Sequence, residues 1–111
     1  MDDIDDVSRI RTLNDALRRS LTGGVLMMTR GVIALGLAKQ LRILEAVAAF
    51  DGFGPDNDPY GEHDFGALEV DGARLFFKID YLDRGLTNHS PDPADPSVTT
   101  RVLTIMLAEE Y

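Results

Sequence analysis

The dipeptide Asp71-Gly72, set between two runs of alternating apolar residues, constrains this chain more than any other local feature. A two-residue loop between strands is favoured as a type I′ turn, which needs positive φ at both central positions, and Asp-Gly supplies that conformation cheaply. The turn fixes the register, because opposed residues must then have numbers that sum to the same value as Asp71 and Gly72. Leu68 is expected opposite Leu75, Glu69 opposite Arg74, Ala67 opposite Phe76, Phe65 opposite Lys78 and His63 opposite Asp80. Side chains alternate along a strand, so Gly66, Leu68, Val70, Leu75, Phe77, Ile79 and Tyr81 form the face toward a core. His63, Phe65, Glu69, Arg74, Phe76, Lys78 and Asp80 form the opposite, partly wet face.

Around the hairpin the periodicity changes. Val7, Ile10, Leu13, Leu17 and Leu21 recur at three- and four-residue steps and predict an amphipathic helix over 3–21, with Arg9, Arg11, Asp15, Arg18 and Arg19 mostly off the stripe. Thr22-Gly23-Gly24 is expected to close it, since glycine adopts the left-handed conformation of a helix end. Val25–Thr29 reads as a short buried strand. The stretch from Arg30 is interrupted by Gly31 and Gly36. Leu37, Leu41, Leu44, Val47, Ala48 and Phe50 predict a second helix, ended by Asp51-Gly52 and Gly54-Pro55. Asp95-Pro96 has the form of a helix start, with Val102, Ile105 and Met106 as the core side of a last helix reaching Tyr111. The order is then α-β-α-β-β-α. This predicts an α+β fold, with a small antiparallel sheet and helices packed on it, as one domain over 1–111 whose acidic residues 1–6 are flexible.

The 111 residues carry a net charge of −8, and it is unevenly placed: residues 1–50 sum to +1 and residues 51–111 to −9. An acidic surface lacks the clustered Lys and Arg that neutralise phosphates, which argues against direct nucleic-acid binding and against an anionic membrane. With no cysteine, a disulfide framework, a thiolate metal site and a cysteine nucleophile are excluded. No membrane-length apolar run and no basic leader occur, so a cytoplasmic location is the expectation.

The densest polar stretch, Asp56-Asn57-Asp58-Pro59-Tyr60-Gly61-Glu62-His63-Asp64-Phe65-Gly66, supports three readings. As a calcium loop it fails: Tyr60 and Ala67 fall where an EF-hand needs an oxygen ligand and a bidentate glutamate, so neither a metal nor another cofactor is expected. As a hydrolytic or metal-assisted site it would use His63 oriented by Asp80, with Asp64 as a further carboxylate; no nucleophile elbow and no phosphate loop accompany it. As a partner-binding surface it sets Tyr60, Phe65, Phe76 and Tyr81 among Asp56, Asp58, Glu62, Asp64, Asp80 and Asp83. Aromatic anchors among charges of one sign suit a protein with a basic surface, and the sharpest version is mimicry of a nucleic-acid backbone. A homodimer pairing the basic first helix with the acidic second half is a further expectation.

The block DNDPYGEHDFG at 56–66, Lys78-Ile79-Asp80-Tyr81 with Asp83, and the tail TTRVLTIMLA at 99–108 with Glu110-Tyr111 resemble a family of small bacterial proteins classed as a domain of unknown function. Leu13-Asn14-Asp15 and Thr22-Gly23-Gly24 match as well, so the resemblance spans roughly residues 10–111. The chain departs from it between Arg30 and Lys39, where Arg30 replaces a proline. The resemblance implies no established activity. It implies cargo of plasmids, phages and integrated elements, and so an anti-CRISPR or antirestriction-like inhibitor acting on a CRISPR or restriction complex.

Overall fold

In the computed structural model, which describes residues 5–111, the chain forms α1 (Asp6–Ser20), β1 (Gly24–Met28), α2 (Arg30–Ile33), α3 (Leu37–Ala49), β2 (Phe65–Val70), β3 (Ala73–Leu82) and β4 (Thr100–Leu107). A single 3-10 turn, Ala108–Glu110, follows β4. Asp2, Asp3 and Ile4, included in the expected helix and acidic tail, lie outside the described residues. Asp5 and Asp6 are not a tail: Asp5 is the N-cap of α1, accepting the Ser8 N–H at 2.8 Å, and Asp6 is its first residue.

The β2–β3 hairpin has the register that Asp71-Gly72 dictates, from Phe65 opposite Lys78 to Val70 opposite Ala73. Asp71 and Gly72 have φ of 52° and 83°, as a type I′ turn requires. The ladder stops at Phe65. His63 takes φ of 59°, which turns its side chain away from the strand, so the expected pairing with Asp80 does not form.

The architecture is α+β, but the order is α-β-α-α-β-β-β and the expected last helix is absent. Residues 100–107 are a strand, and a central one, in a sheet ordered β1-β4-β3-β2. β4 lies antiparallel to β3 and parallel to β1, so the sheet is mixed rather than antiparallel. Two facts outweigh the helical spacing of Val102, Ile105 and Met106. The segment is rich in β-branched Val and Thr, and Arg101, Leu103 and Ile105 also fit an alternating pattern that buries one face. Asp95 closes only a local turn, accepting the Ser97 N–H at 2.9 Å.

The core holds Ile10 and Leu17 of α1, Val32 of α2, Ile43 and Val47 of α3, and Leu75, Phe77, Ile79, Tyr81, Leu103 and Ile105 of the sheet. Leu37 and Leu41, expected on the core side of α3, are 71% and 51% exposed. That helix is apolar on several sides, so spacing alone does not choose which face packs. β1 is an edge strand with Val25 and Met27 exposed, not a buried one. The left-handed residue that ends α1 is Leu21, with φ of 54°, ahead of the glycines. Gly24 and Gly66 serve packing instead. A Cβ on Gly24 would stand 2.8 Å from Leu17, and one on Gly66 would stand 2.3 Å from the Phe77 ring.

Candidate functional site

α1 presents Arg11, Asn14, Asp15 and Arg18 at helical spacing beside the apolar Ile10 and Leu17. This polar stripe lies inward. Asn14 is wholly buried and Arg18 is 2% exposed, against the expectation that Arg18 faces water. Buried polar groups must be bonded, and these bind two other parts of the chain.

Asn14 Nδ2 donates to the Tyr81 hydroxyl at 2.8 Å and to the Glu62 carbonyl at 3.0 Å. Its Oδ1 accepts from Arg101 Nε at 2.9 Å. The Tyr81 hydroxyl donates to Glu62 Oε1 at 2.7 Å, and Arg101 also donates to the Pro93 carbonyl. Burial, reinforced by the bond to Glu62, pushes the Tyr81 hydroxyl far above the ordinary phenol range. Burial likewise lowers the Arg101 guanidinium, with the charges of Tyr81 and Glu62 opposing that shift. Tyr81, read from the sequence both as core and as an aromatic anchor, belongs to this buried network.

Arg18 closes the other end. Its Nη1 donates to the carbonyls of Val47, Ala48 and Phe50 at 2.8, 3.1 and 2.8 Å, satisfying the last turn of α3 with a cation where the helix dipole is negative. The guanidinium lies 5.2 Å from the Phe53 ring centre, and its Nη2 donates to Asp15 Oδ1 at 3.0 Å.

His63 meets the same Asp15 oxygen through Nδ1 at 2.9 Å, and Nε2 lies 3.8 Å from Asp58 Oδ2. Its backbone N–H donates to Asp58 Oδ1 at 3.1 Å, and its ring stacks on Phe53 at 3.9 Å. Burial raises the Asp15 carboxyl, but the bonds from His63 and Arg18 outweigh it and hold the group below its ordinary value. With a carboxylate at each nitrogen and an aromatic ring on one face, this imidazole is a clamp between α1 and the 50–64 loop.

The three residues of the hydrolytic reading are not brought together. Asp64 and Asp80 line a shallow depression of about 310 Å³ with Ile79, Tyr81, Leu82 and His89, while His63 points toward α1. Burial, then the charges of Glu62, Asp58 and Asp80, raises the Asp64 carboxyl. Among the described residues no group of three or more His, Asp or Glu converges as metal ligands.

The residues of the partner-binding reading divide. Asp58 is buried against His63, Glu62 is bonded to Tyr81, and Asp83 closes the 83–88 turn by accepting the Thr87 N–H at 3.0 Å. Asp80 lies 3.3 Å from Lys78 on the sheet. Asp56 and Tyr60 are exposed, Tyr60 by 77%. Phe65 and Phe76 lie on the sheet face opposite the core, with ring centres 5.3 Å apart, and Tyr111 caps them at 6.0 and 5.3 Å. Among the described residues no α-helix covers that face, since α1, α2 and α3 all contribute to the core on the other side; at the Tyr111 end, however, its Met106, opposite Phe76, is only 4% exposed. Val25, Met27, Val102 and Thr104 continue it across β1 and β4. The burial of Asn14, Arg18 and Arg101 and the continuation of the wet hairpin face across β4 and β1 are the features that sequence reasoning missed. Their signals were the inward polar spacing on α1 and the second apolar set on the strands.

No helix among the described residues is long and apolar enough to cross a membrane. No curated protein and no solved structure matches the chain. A family model described as a protein of unknown function, DUF3768, matches residues 28–110, a span that takes in α3, the clamped loop, the hairpin and β4. The chain therefore belongs to the DUF3768 family of proteins of unknown function.

Proposed function

We propose that this protein is a non-enzymatic binding protein that engages a basic surface of a nucleic-acid-binding complex, and that a CRISPR or restriction effector is the kind of complex it inhibits. The observation that carries this reading is the uncovered sheet face with its Phe65–Phe76–Tyr111 cluster. Rigid aromatics on a preformed sheet are effective anchors, because little conformational freedom is lost when they are covered. The acidic excess supports a basic partner, since complementary charge accelerates encounter. The side chains that could have served hydrolysis support the same reading by their engagement: His63 is held between Asp15 and Asp58, away from Asp80.

The anchors of this reading are Tyr60, Phe65 and Phe76, with Asp56, Asp64 and Asp80 as the charged rim. Asp58 and Glu62 bind within the chain, so neutralising them tests folding rather than binding. The chain and its Tyr60→Ala/Phe65→Ser variant, equally tagged, serve as paired baits in lysate of the native host and against purified CRISPR and restriction complexes. Retention of a nucleic-acid-binding complex by the first, with loss of that complex's DNA cleavage, and at least tenfold weaker retention by the variant at unchanged circular dichroism, is expected. Equal retention by both baits, or nothing above the tag alone, overturns the proposal.

A further inference from the structure

We infer that β1 is a self-association edge, through which a second copy of this chain pairs strand to strand and extends the sheet from four strands to eight. This rests on the open edge and is independent of the partner proposed above.

Among the described residues β1 pairs with β4 alone, and its other edge is open. Natural edge strands are usually guarded by a lysine, a proline, a bulge or a covering segment. β1, Gly-Val-Leu-Met-Met, has no charged residue and no proline, and α2 turns back over β4 instead of across the edge. Val25 and Met27 are 43% and 52% exposed on the face that no helix covers.

The direction of the free main-chain groups selects a register. The Thr29 N–H donates to the Ile105 carbonyl at 3.1 Å, so the alternation of a parallel ladder directs odd-numbered residues toward β4. Gly24, Leu26 and Met28 thus present N–H and C=O to the open edge. An antiparallel twofold pair that uses all three places Leu26 opposite Leu26 of the second copy, and Gly24 opposite Met28. Val25 then faces Met27 across the seam, so the two exposed apolar side chains cover each other. A glycine opposite the longest side chain leaves room for it. The edge is self-complementary, as an isologous contact must be.

Charge supports a second copy at this edge over the other. The acidic hairpin and loop adjoin β2, three strands away from β1. In the eight-stranded sheet the two β2 strands stand seven spacings apart, roughly 34 Å. That is several times the Debye length of about 8 Å at physiological salt, so the acids of the two β2-side loops are screened from each other.

The cysteine-free chain makes the register testable by single thiols. Directly opposed Cα atoms of a hydrogen-bonded antiparallel pair stand about 5.5 Å apart, within disulfide range. Leu26→Cys is expected to give a disulfide-linked dimer on mild oxidation, whereas the more exposed Met27→Cys, offset from its own copy, crosslinks at least fivefold less. Sedimentation equilibrium of the wild-type chain is expected to show the mass of two chains at high protein concentration, and Met27→Lys the mass of one with unchanged circular dichroism. A wild-type chain that stays monomeric overturns the proposal. So do a Met27→Cys variant that crosslinks as well as Leu26→Cys, and a Met27→Lys variant that stays dimeric.

Discussion

His63 Nδ1 lies 2.9 Å from Asp15 Oδ1, joining a loop residue to a helix residue 48 positions earlier in the chain. The same oxygen receives Arg18 Nη2 at 3.0 Å, so one carboxylate holds both the loop and the arginine that closes α3. Asp15→Ala removes the acceptor of both bonds. Hydrogen bonds to charged groups contribute about 1.5–3 kcal/mol each, and the partly exposed site allows water to replace part of that. A loss of about 2–3 kcal/mol in urea unfolding is expected, with Asp15→Asn losing less because it keeps an acceptor oxygen.

The two shifted carboxylates of this region act on stability in opposite directions with pH. Asp15 is held below its ordinary value of 3.8, so its contribution is present above that value and is lost as pH falls through its lower, folded-state value. Asp64 is raised above 3.8, so the stability associated with its protonated form is present below that value and is lost as pH rises through the folded-state value. Asp64→Asn is therefore expected to have a higher urea midpoint than the wild type at neutral pH. The two midpoints are expected to converge below pH 3.8. A variant less stable than the wild type at neutral pH would show that the Asp64 carboxylate is stabilising.

The buried network predicts an order among its own substitutions. Tyr81→Phe removes one hydroxyl and leaves Asn14 bonded to the Glu62 carbonyl and to Arg101. A cost of about 1–2 kcal/mol follows. Asn14→Leu strips Arg101 Nε, the Glu62 carbonyl and the Tyr81 hydroxyl of a partner together, in a site from which water is excluded. Several buried unsatisfied groups cost about 3–5 kcal/mol. Thermal unfolding of the two variants checks the order, and a more damaging Tyr81→Phe would contradict it.

What could be read from the sequence was what is decided locally. Asp71-Gly72 sets its own turn and thereby the register as far as Phe65, and the glycines and prolines of 51–61 exclude a helix or strand there. β4 was misread because Val102, Ile105 and Met106 satisfy a helical spacing, while what makes it a strand is pairing with β1 and β3, from distant parts of the chain. The site was half legible for the same reason. The 56–66 block is visible as a polar cluster, but His63 adopts positive φ, and its partner Asp15 and the closure by Arg18 and Asn14 are tertiary contacts. No periodicity in a loop reports which way a histidine turns.

The hairpin turn itself separates conformation from charge. Asp71 accepts from Arg42 Nε at 2.6 Å, yet the two side chains are 40% and 49% exposed. Exposed ion pairs contribute about 0–1 kcal/mol, so the value of Asp71 lies in its tolerance of positive φ. Asp71→Asn keeps that tolerance and is expected to cost no more than about 0.5 kcal/mol. Asp71→Val must place a β-branched residue at φ of 52° and is expected to cost about 1–2 kcal/mol. Added salt discriminates the two contributions: it should narrow the gap between wild type and Asp71→Asn and leave the gap to Asp71→Val nearly intact.

Gly66 predicts the effect of one added methyl group. It lies on the core face of β2 beneath Phe77, and an added Cβ would stand 2.3 Å from that ring and 2.9 Å from Phe50. Neither ring can withdraw freely, because Phe50 and Phe77 pack edge to face at 5.3 Å and Phe53 packs on both. Overpacking of a filled core costs about 1–3 kcal/mol, which exceeds the gain of less than about 1 kcal/mol that alanine brings by restricting the unfolded chain. Gly66→Ala is therefore expected to be destabilising by about 1–2 kcal/mol. The displaced Phe53 would also pull its stacked partner His63 from Asp15, so the imidazole should lose its fixed environment in a two-dimensional NMR spectrum. A stabilised Gly66→Ala, with the His63 resonance unmoved, would mean that the aromatic cluster yields more easily than its packing implies.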